Sequence, residues 1–230
     1  MKRTCRQTII CAMLSLFTIA GSVAQTHYTS RVSFGAKGGV DFSRIFFNPS
    51  VKQSFKPGAT AGLTFRYVEE SHFGLIAELN FVQRGWKDNF EEADYKYSRT
   101  INYLEIPVLA HIYFGSRGRF FFNAGPQVAF FLGESTSKNF DIDEINHLPG
   151  FPYANRTWSQ LGMKTNHKVD YGITAGIGGE FFISPRHSLY LEARFYYGLG
   201  NVLKSGRTDP FNASNSMTVS ANIGYWFRFK

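Results

Sequence analysis

Residues Ile101–Phe114 read I-N-Y-L-E-I-P-V-L-A-H-I-Y-F. From Leu104 every second residue is apolar: Leu104, Ile106, Val108, Ala110, Ile112 and Phe114. The other register holds Tyr103, Glu105, Pro107, Leu109, His111 and Tyr113. A period of two with one greasy face is a strand, because successive side chains of a strand point to opposite sides. The stretch is also about as long as the ~9–11 residues a tilted strand needs to cross a bilayer.

Seven further segments repeat the pattern: Val32–Ser43, Gly58–Val68, Phe73–Trp86, Arg119–Leu132, His167–Ile183, Ser188–Leu203 and Asn215–Lys230. Their connections alternate in length. Loops at 44–56, 87–99, 133–166 and 204–214 take turns with tight links at Glu69–His72, Gly115–Gly118 and Ser184–His187. Short turns on one side and longer loops on the other, with an even strand count, are the habit of outer-membrane barrels. The chain ends inside its last strand, which must pair with the first to remove both sheet edges. The pattern predicts an all-β fold, an eight-stranded antiparallel up-and-down transmembrane β-barrel.

Alternation does not say which face is inside. A soluble lipocalin-like barrel would put the apolar face in its lumen. Here that face carries about five residues on each strand, many of them Phe. The lumen of an eight-stranded barrel is just wide enough for its own side chains. So many large apolar groups belong outside, where only lipid tolerates them. The other face is rich in Gly and carries both signs of charge: Asp41, Glu78, Glu105, Asp170, Glu180 and Glu192 against Lys37, Arg66, Arg84, Arg194 and Arg228. Buried charges must be compensated, so this near-balance predicts a packed lumen of ion pairs. Glu105, flanked by Leu104 and Ile106, is expected to pair with Arg84 or Arg66 rather than to serve as a proton or substrate site.

Composition agrees. Aromatic residues make up 17%, with 24 Phe and 12 Tyr, and 22 residues are Gly, which suits strands, aromatic belts and tight turns. Mean hydropathy is only −0.20, as expected where alternate residues face lipid. The N-terminus reads as a signal peptide over residues 1–24, with the barrel domain over 25–230. Lys2, Arg3 and Arg6 precede an apolar core, Ile9–Ala20, too short to span a bilayer, and Ser22-Val23-Ala24 offers small residues for cleavage. Cys5 and Cys11 both lie in this segment, so the mature chain is expected to have no thiol chemistry. Removing its three cations from the formal +8 leaves +5. The bases are scattered rather than striped, which speaks against nucleic acid as a partner; outer-membrane lipid is the partner the pattern implies.

The Y-L-E-I-P-V-L motif at Tyr103–Leu109, F-G-A-K-G-G-V-D-F-S at Phe34–Ser43 and E-L-N-F-V-Q-R-G at Glu78–Gly85 resemble PorT-like outer-membrane β-barrel proteins. The resemblance runs through essentially the whole mature chain. It implies an integral barrel of the outer membrane; the expected signal peptide and even strand number put both termini in the periplasm. The family's namesake is associated with a protein-secretion and gliding apparatus, a role that does not transfer on fold.

Some small barrels modify lipids, and a catalytic site of that kind would draw on His27, His72, His111, His147, His167 or His187. None is placed by the pattern beside both a serine and a carboxylate, as nucleophilic catalysis needs. Ser116 is close to His111 in sequence but falls in a turn. No metal-ligand spacing occurs, and no cofactor is expected. The long loop groups Phe140, Phe151, Tyr153 and Trp158 with Arg156. Exposed aromatics beside an arginine suggest a binding surface; a loop packed on itself or on lipid headgroups is the alternative. The leading expectation is a non-enzymatic barrel whose outer loops bind a protein partner or support an envelope assembly. Small-solute passage and lipid modification are the alternatives.

Overall fold

The computed structural model describes residues 30–90, 93–151, 158–166, 168–205 and 209–229. The expected signal peptide lies outside the described residues, as do Tyr153 and Arg156. Eight long strands form the wall: β1 (Arg31–Asn48), β2 (Lys56–Val68), β3 (Phe73–Asp88), β4 (Tyr97–Phe114), β5 (Gly118–Lys138), β6 (Val169–Phe182), β7 (His187–Asn201) and β8 (Ala213–Arg228). Each pairs antiparallel with its neighbours in sequence. β1 also pairs with β8, from Ser33↔Arg228 to Asn48↔Ala213, and closes the ring. Closure gives every strand two neighbours and leaves no edge, which is what lets a sheet stand in hydrocarbon.

The outer face is the apolar register. Phe34, Leu63, Leu79, Val108, Phe120, Ile173, Leu191 and Ile223 are all exposed, one from each strand. Aromatic contacts gather where the strands meet the short turns: Phe34–Phe65 at 5.0 Å, Phe34–Phe229 at 5.4 Å and Phe227–Phe229 at 4.8 Å between ring centroids. Amphipathic and aromatic rings favour that depth of a bilayer.

Six strands run past the expected limits at the loop end. β1 continues from Ser43 to Asn48, β3 from Trp86 to Asp88 and β5 from Leu132 to Lys138, while β2 begins at Lys56, β4 at Tyr97 and β8 at Ala213. Towards the loop end of β1 and β4 apolar residues enter the inward register. Ile45 and Phe47 point inward and are buried, as are Tyr97 and Ile101, while Ser98, Thr100 and Asn102 take the outer register. Above the apolar belt the wall stands in water, so greasy-out becomes greasy-in. A search for outward apolar residues therefore stops short of the true strand ends.

Candidate functional site

The lumen is filled by ion pairs stacked in three layers. Nearest the short turns, the Arg66 guanidinium donates two bonds of 2.9 Å to Glu180, whose carboxylate also accepts from Ser188 at 2.6 Å. The Arg66 plane lies over the Trp226 ring at 4.6 Å. In the middle layer Glu78 accepts from Lys37 at 2.6 Å, from Arg194 at 2.7 and 2.8 Å and from Asn80 at 2.9 Å. Arg194 grips Glu192 as well, at 2.8 Å. Asn123 continues the chain, donating to Glu192 at 2.7 Å and meeting His111 Nδ1 at 2.7 Å. Towards the loops, Arg84 pairs with Glu105 and lies 3.3 Å from Asp170, with its plane over Tyr196 at 3.9 Å.

Two of these pairs cross the whole barrel. Arg66–Glu180 joins β2 to β6, and Glu78–Arg194 joins β3 to β7; in an eight-membered ring each pair spans the diameter. They tie opposite walls together, and bidentate guanidinium–carboxylate geometry fixes the distance between the walls. Lumen glycines make room for inward rings. A Cβ on Gly224 would fall 2.2 Å from Tyr190, and one on Gly178 would fall 2.3 Å from Phe121.

The expected charge set therefore divides. Lys37, Arg66, Glu78, Arg84, Glu105, Glu180, Glu192 and Arg194 meet in the lumen, and Asp170 on β6 joins them. Glu105 meets Arg84; Arg66, the other candidate, is taken by Glu180. Asp41 lines the same polar space as Arg84 and Glu105. Arg228 stands apart from the layers. It sits at the turn-end mouth, donating to the Pro185 carbonyl at 3.3 Å, because β8 has left the lumen by that point. The space left among Lys37, Asp41, Arg84 and Glu105 is a cavity of about 20 Å³, room for roughly one water.

Above the charged layers a hydrophobic cap seals the loop end. Trp86, Tyr97, Ile101, Ile45, Phe211, Leu161 and Leu203 are among its most buried members, joined by Phe47, Phe90, Phe140 and Phe151. A short helix, α1 (Ser159–Gly162), brings Leu161 into it. The Leu161 carbonyl accepts from Tyr97 at 3.0 Å and from Arg99 at 3.2 Å, and Gln160 donates to Asp88 at 3.0 Å. Phe151 was expected on an exposed binding surface. Instead it is 5% exposed, against Phe90 at 5.6 Å, Tyr95 at 5.3 Å and Trp158 at 6.1 Å. The loop aromatics are a core, because so many rings at one height lower their free energy by packing on one another. Sequence reasoning read Trp86 only as the end of a strand; its inward register beside Ile45 and Phe47 was the available signal.

Among the described residues, the histidines form no catalytic row. His111 bonds Asn123 and stacks on Tyr113 at 5.3 Å. His72 bonds its neighbour Ser71 at 3.0 Å on the surface, and His187 bonds the Tyr225 hydroxyl. Among the described residues, no group of three His, Cys, Asp or Glu is placed to hold a metal ion.

A closed eight-stranded ring, an apolar outer belt and a charged interior define an integral outer-membrane β-barrel protein. The chain belongs to the outer membrane protein beta-barrel domain family, whose model matches residues 23–204. Among solved structures, it is similar to the outer membrane protein OprG from Pseudomonas aeruginosa, with a TM-score of 0.51 and 14% identity over 87% of this chain and 95% of that one. Neisserial surface protein A gives a TM-score of 0.47 and 12% identity over 88% and 100%. The outer membrane enzyme PagL gives a TM-score of 0.37 and 16% identity over 85% of this chain and 98% of that one. At such identities the likeness to OprG speaks for fold alone. No curated protein sequence matches the chain.

Proposed function

We propose that this is a closed, non-enzymatic barrel of the outer membrane whose water-facing cap presents a surface to a protein partner or supports an envelope assembly, of the secretion-related kind that the PorT-like motifs suggest. The observation that carries this reading is the interior. Ion pairs bridge opposite walls, the lumen cavities lined by Arg84 and Glu105 and by His111 and Glu192 are of single-water size or less, and an apolar core lies over the loop end. An unpaired charge in such a lumen costs several kcal/mol, so the pairs do not open readily for a passing ion. The His111–Asn123–Glu192 chain is read as structural, since it joins β4, β5 and β7 across the lumen and His111 stacks on Tyr113. The partner surface, on this reading, is the polar outside of the cap and not its aromatics.

The turn end is assigned to the periplasm. Arg31 and Arg228 both lie there, and a signal peptide followed by an even strand number leaves both termini on the side of export. A tag at residue 150 should be labelled on intact cells and one at residue 186 should not.

Planar bilayers test the closed lumen. The purified protein should give no steady single-channel steps in ordinary salt; reproducible conductance would replace this reading with solute passage. Mass spectrometry of outer-membrane lipids from a deletion strain tests the lipid-modifying alternative, and copurification from native membranes tests the partner.

A further inference from the structure

Four arginines converge at the turn-end mouth. Arg31 starts β1, Arg117 sits in the β4–β5 turn, Arg119 begins β5 and Arg228 ends β8. They line one open cleft of about 360 Å³, floored by Phe182 and flanked by Pro185. The Phe182 ring draws two of them together, with Arg119 at 5.0 Å and Arg228 at 5.6 Å from its centroid. Among the described residues, the Glu180 carboxylate lies 3.8 Å from Arg119. That carboxylate is already committed to two bonds from Arg66 and one from Ser188. Among the described residues, this one shared carboxylate therefore stands against the guanidiniums of Arg117, Arg119 and Arg228, in an open cleft. Like charges gathered this way raise the local positive potential and concentrate anions.

We propose that this mouth binds a phosphate group. The donors Arg117, Arg119 and Arg228 come from the β4–β5 turn, from β5 and from β8. A carboxylate offers two oxygens in one plane, whereas a phosphate offers three or more around a tetrahedron and can accept from several guanidiniums at once. The same phosphate chemistry is carried by a lipid headgroup at the membrane edge and by a soluble phosphorylated compound.

Two measurements separate those sources. Lipid-free protein in neutral detergent is titrated with inorganic pyrophosphate by calorimetry. In parallel, native mass spectrometry compares retention of phosphatidylglycerol with phosphatidylcholine. Saturable, salt-sensitive binding is expected in at least one arm; the responding arm names the source. The double variant Arg119→Gln/Arg228→Gln should weaken it by about tenfold or more, the loss of one or two charge-assisted bonds. Arg117→Gln/Arg228→Gln, which leaves the Glu180 surroundings intact, should weaken it in the same direction. Lys204→Gln, at the opposite end of the barrel, should bind as the unaltered protein does. Heat-dependent gel migration and circular dichroism identify a variant that has kept its barrel. Absence of saturable binding in both arms, or unchanged affinity in folded samples of either double variant, would overturn the proposal.

Discussion

Within the apolar belt, the inward side chains of β1, β3 and β4 include Lys37, Asp41, Glu78, Arg84 and Glu105; a few residues further along the same strands they are Ile45, Phe47, Trp86, Tyr97 and Ile101. One wall thus encloses two interiors of opposite chemistry. The lumen is walled off from lipid, so its inward residues need not supply the hydrophobic contrast; lipid supplies that outside. Charges can fill it provided each finds a partner. The cap stands in water and must make its own core, so its inward residues are apolar and bury one another. The lumen is specified by pair geometry and the cap by volume, and the two should fail differently.

Glu78→Ala is the strongest way to break the lumen. It leaves Lys37 and Arg194 buried with only Glu192 between them, and the barrel should lose ~3–5 kcal/mol. Urea unfolding in lipid vesicles, followed by tryptophan fluorescence, would show the loss as one global transition. Adding Lys37→Met should recover part of it by removing the stranded cation. No recovery would mean that volume, not charge, governs the lumen as well.

One residue along, Leu79 faces lipid and is 45% exposed. Leu79→Arg should cost ~2–4 kcal/mol at mid-belt depth. Its penalty should shrink in detergent, where headgroups reach the side chain, whereas the Glu78→Ala penalty should not. Equal behaviour of the two variants in both media would contradict the assignment of faces.

Leu161→Ala tests the cap. The deleted methyls leave a cavity worth ~2–3 kcal/mol. The cost should fall on the cap alone, seen as faster protease nicking within residues 139–166 while the barrel's own unfolding midpoint stays put. A matched fall in barrel stability would show that cap and lumen form one cooperative unit.

The smallest effect is expected at the seam. Glu134 accepts from Thr165 at 2.6 Å and lies 3.9 Å from Arg99. Glu134→Gln keeps the shape and weakens both contacts, for ~0.5–1.5 kcal/mol. Amide exchange at Thr165 should quicken, with little change elsewhere.

The sequence by itself determined the wall. Period-two alternation through Ile101–Phe114 and its seven counterparts names which side of each strand meets lipid, because that choice depends only on residue parity and on how much apolar volume a narrow lumen can hold. The supply of charges for the lumen was legible too, since acids and bases stood in the same inward register. Which acid met which base was decided only by the tertiary structure. Arg84 sits opposite Ile101 in the ladder, not opposite Glu105, and reaches that carboxylate along the diagonal. Arg66 and Glu180 are 114 residues apart and meet because closure sets β2 across from β6. Strand tilt and stagger fix such meetings, and neither is written in any local pattern. The cap followed the same rule. Its rings were visible in the loop, but whether Phe151 faced water or Phe90 depended on strands that rise beyond the membrane to give it a core to join.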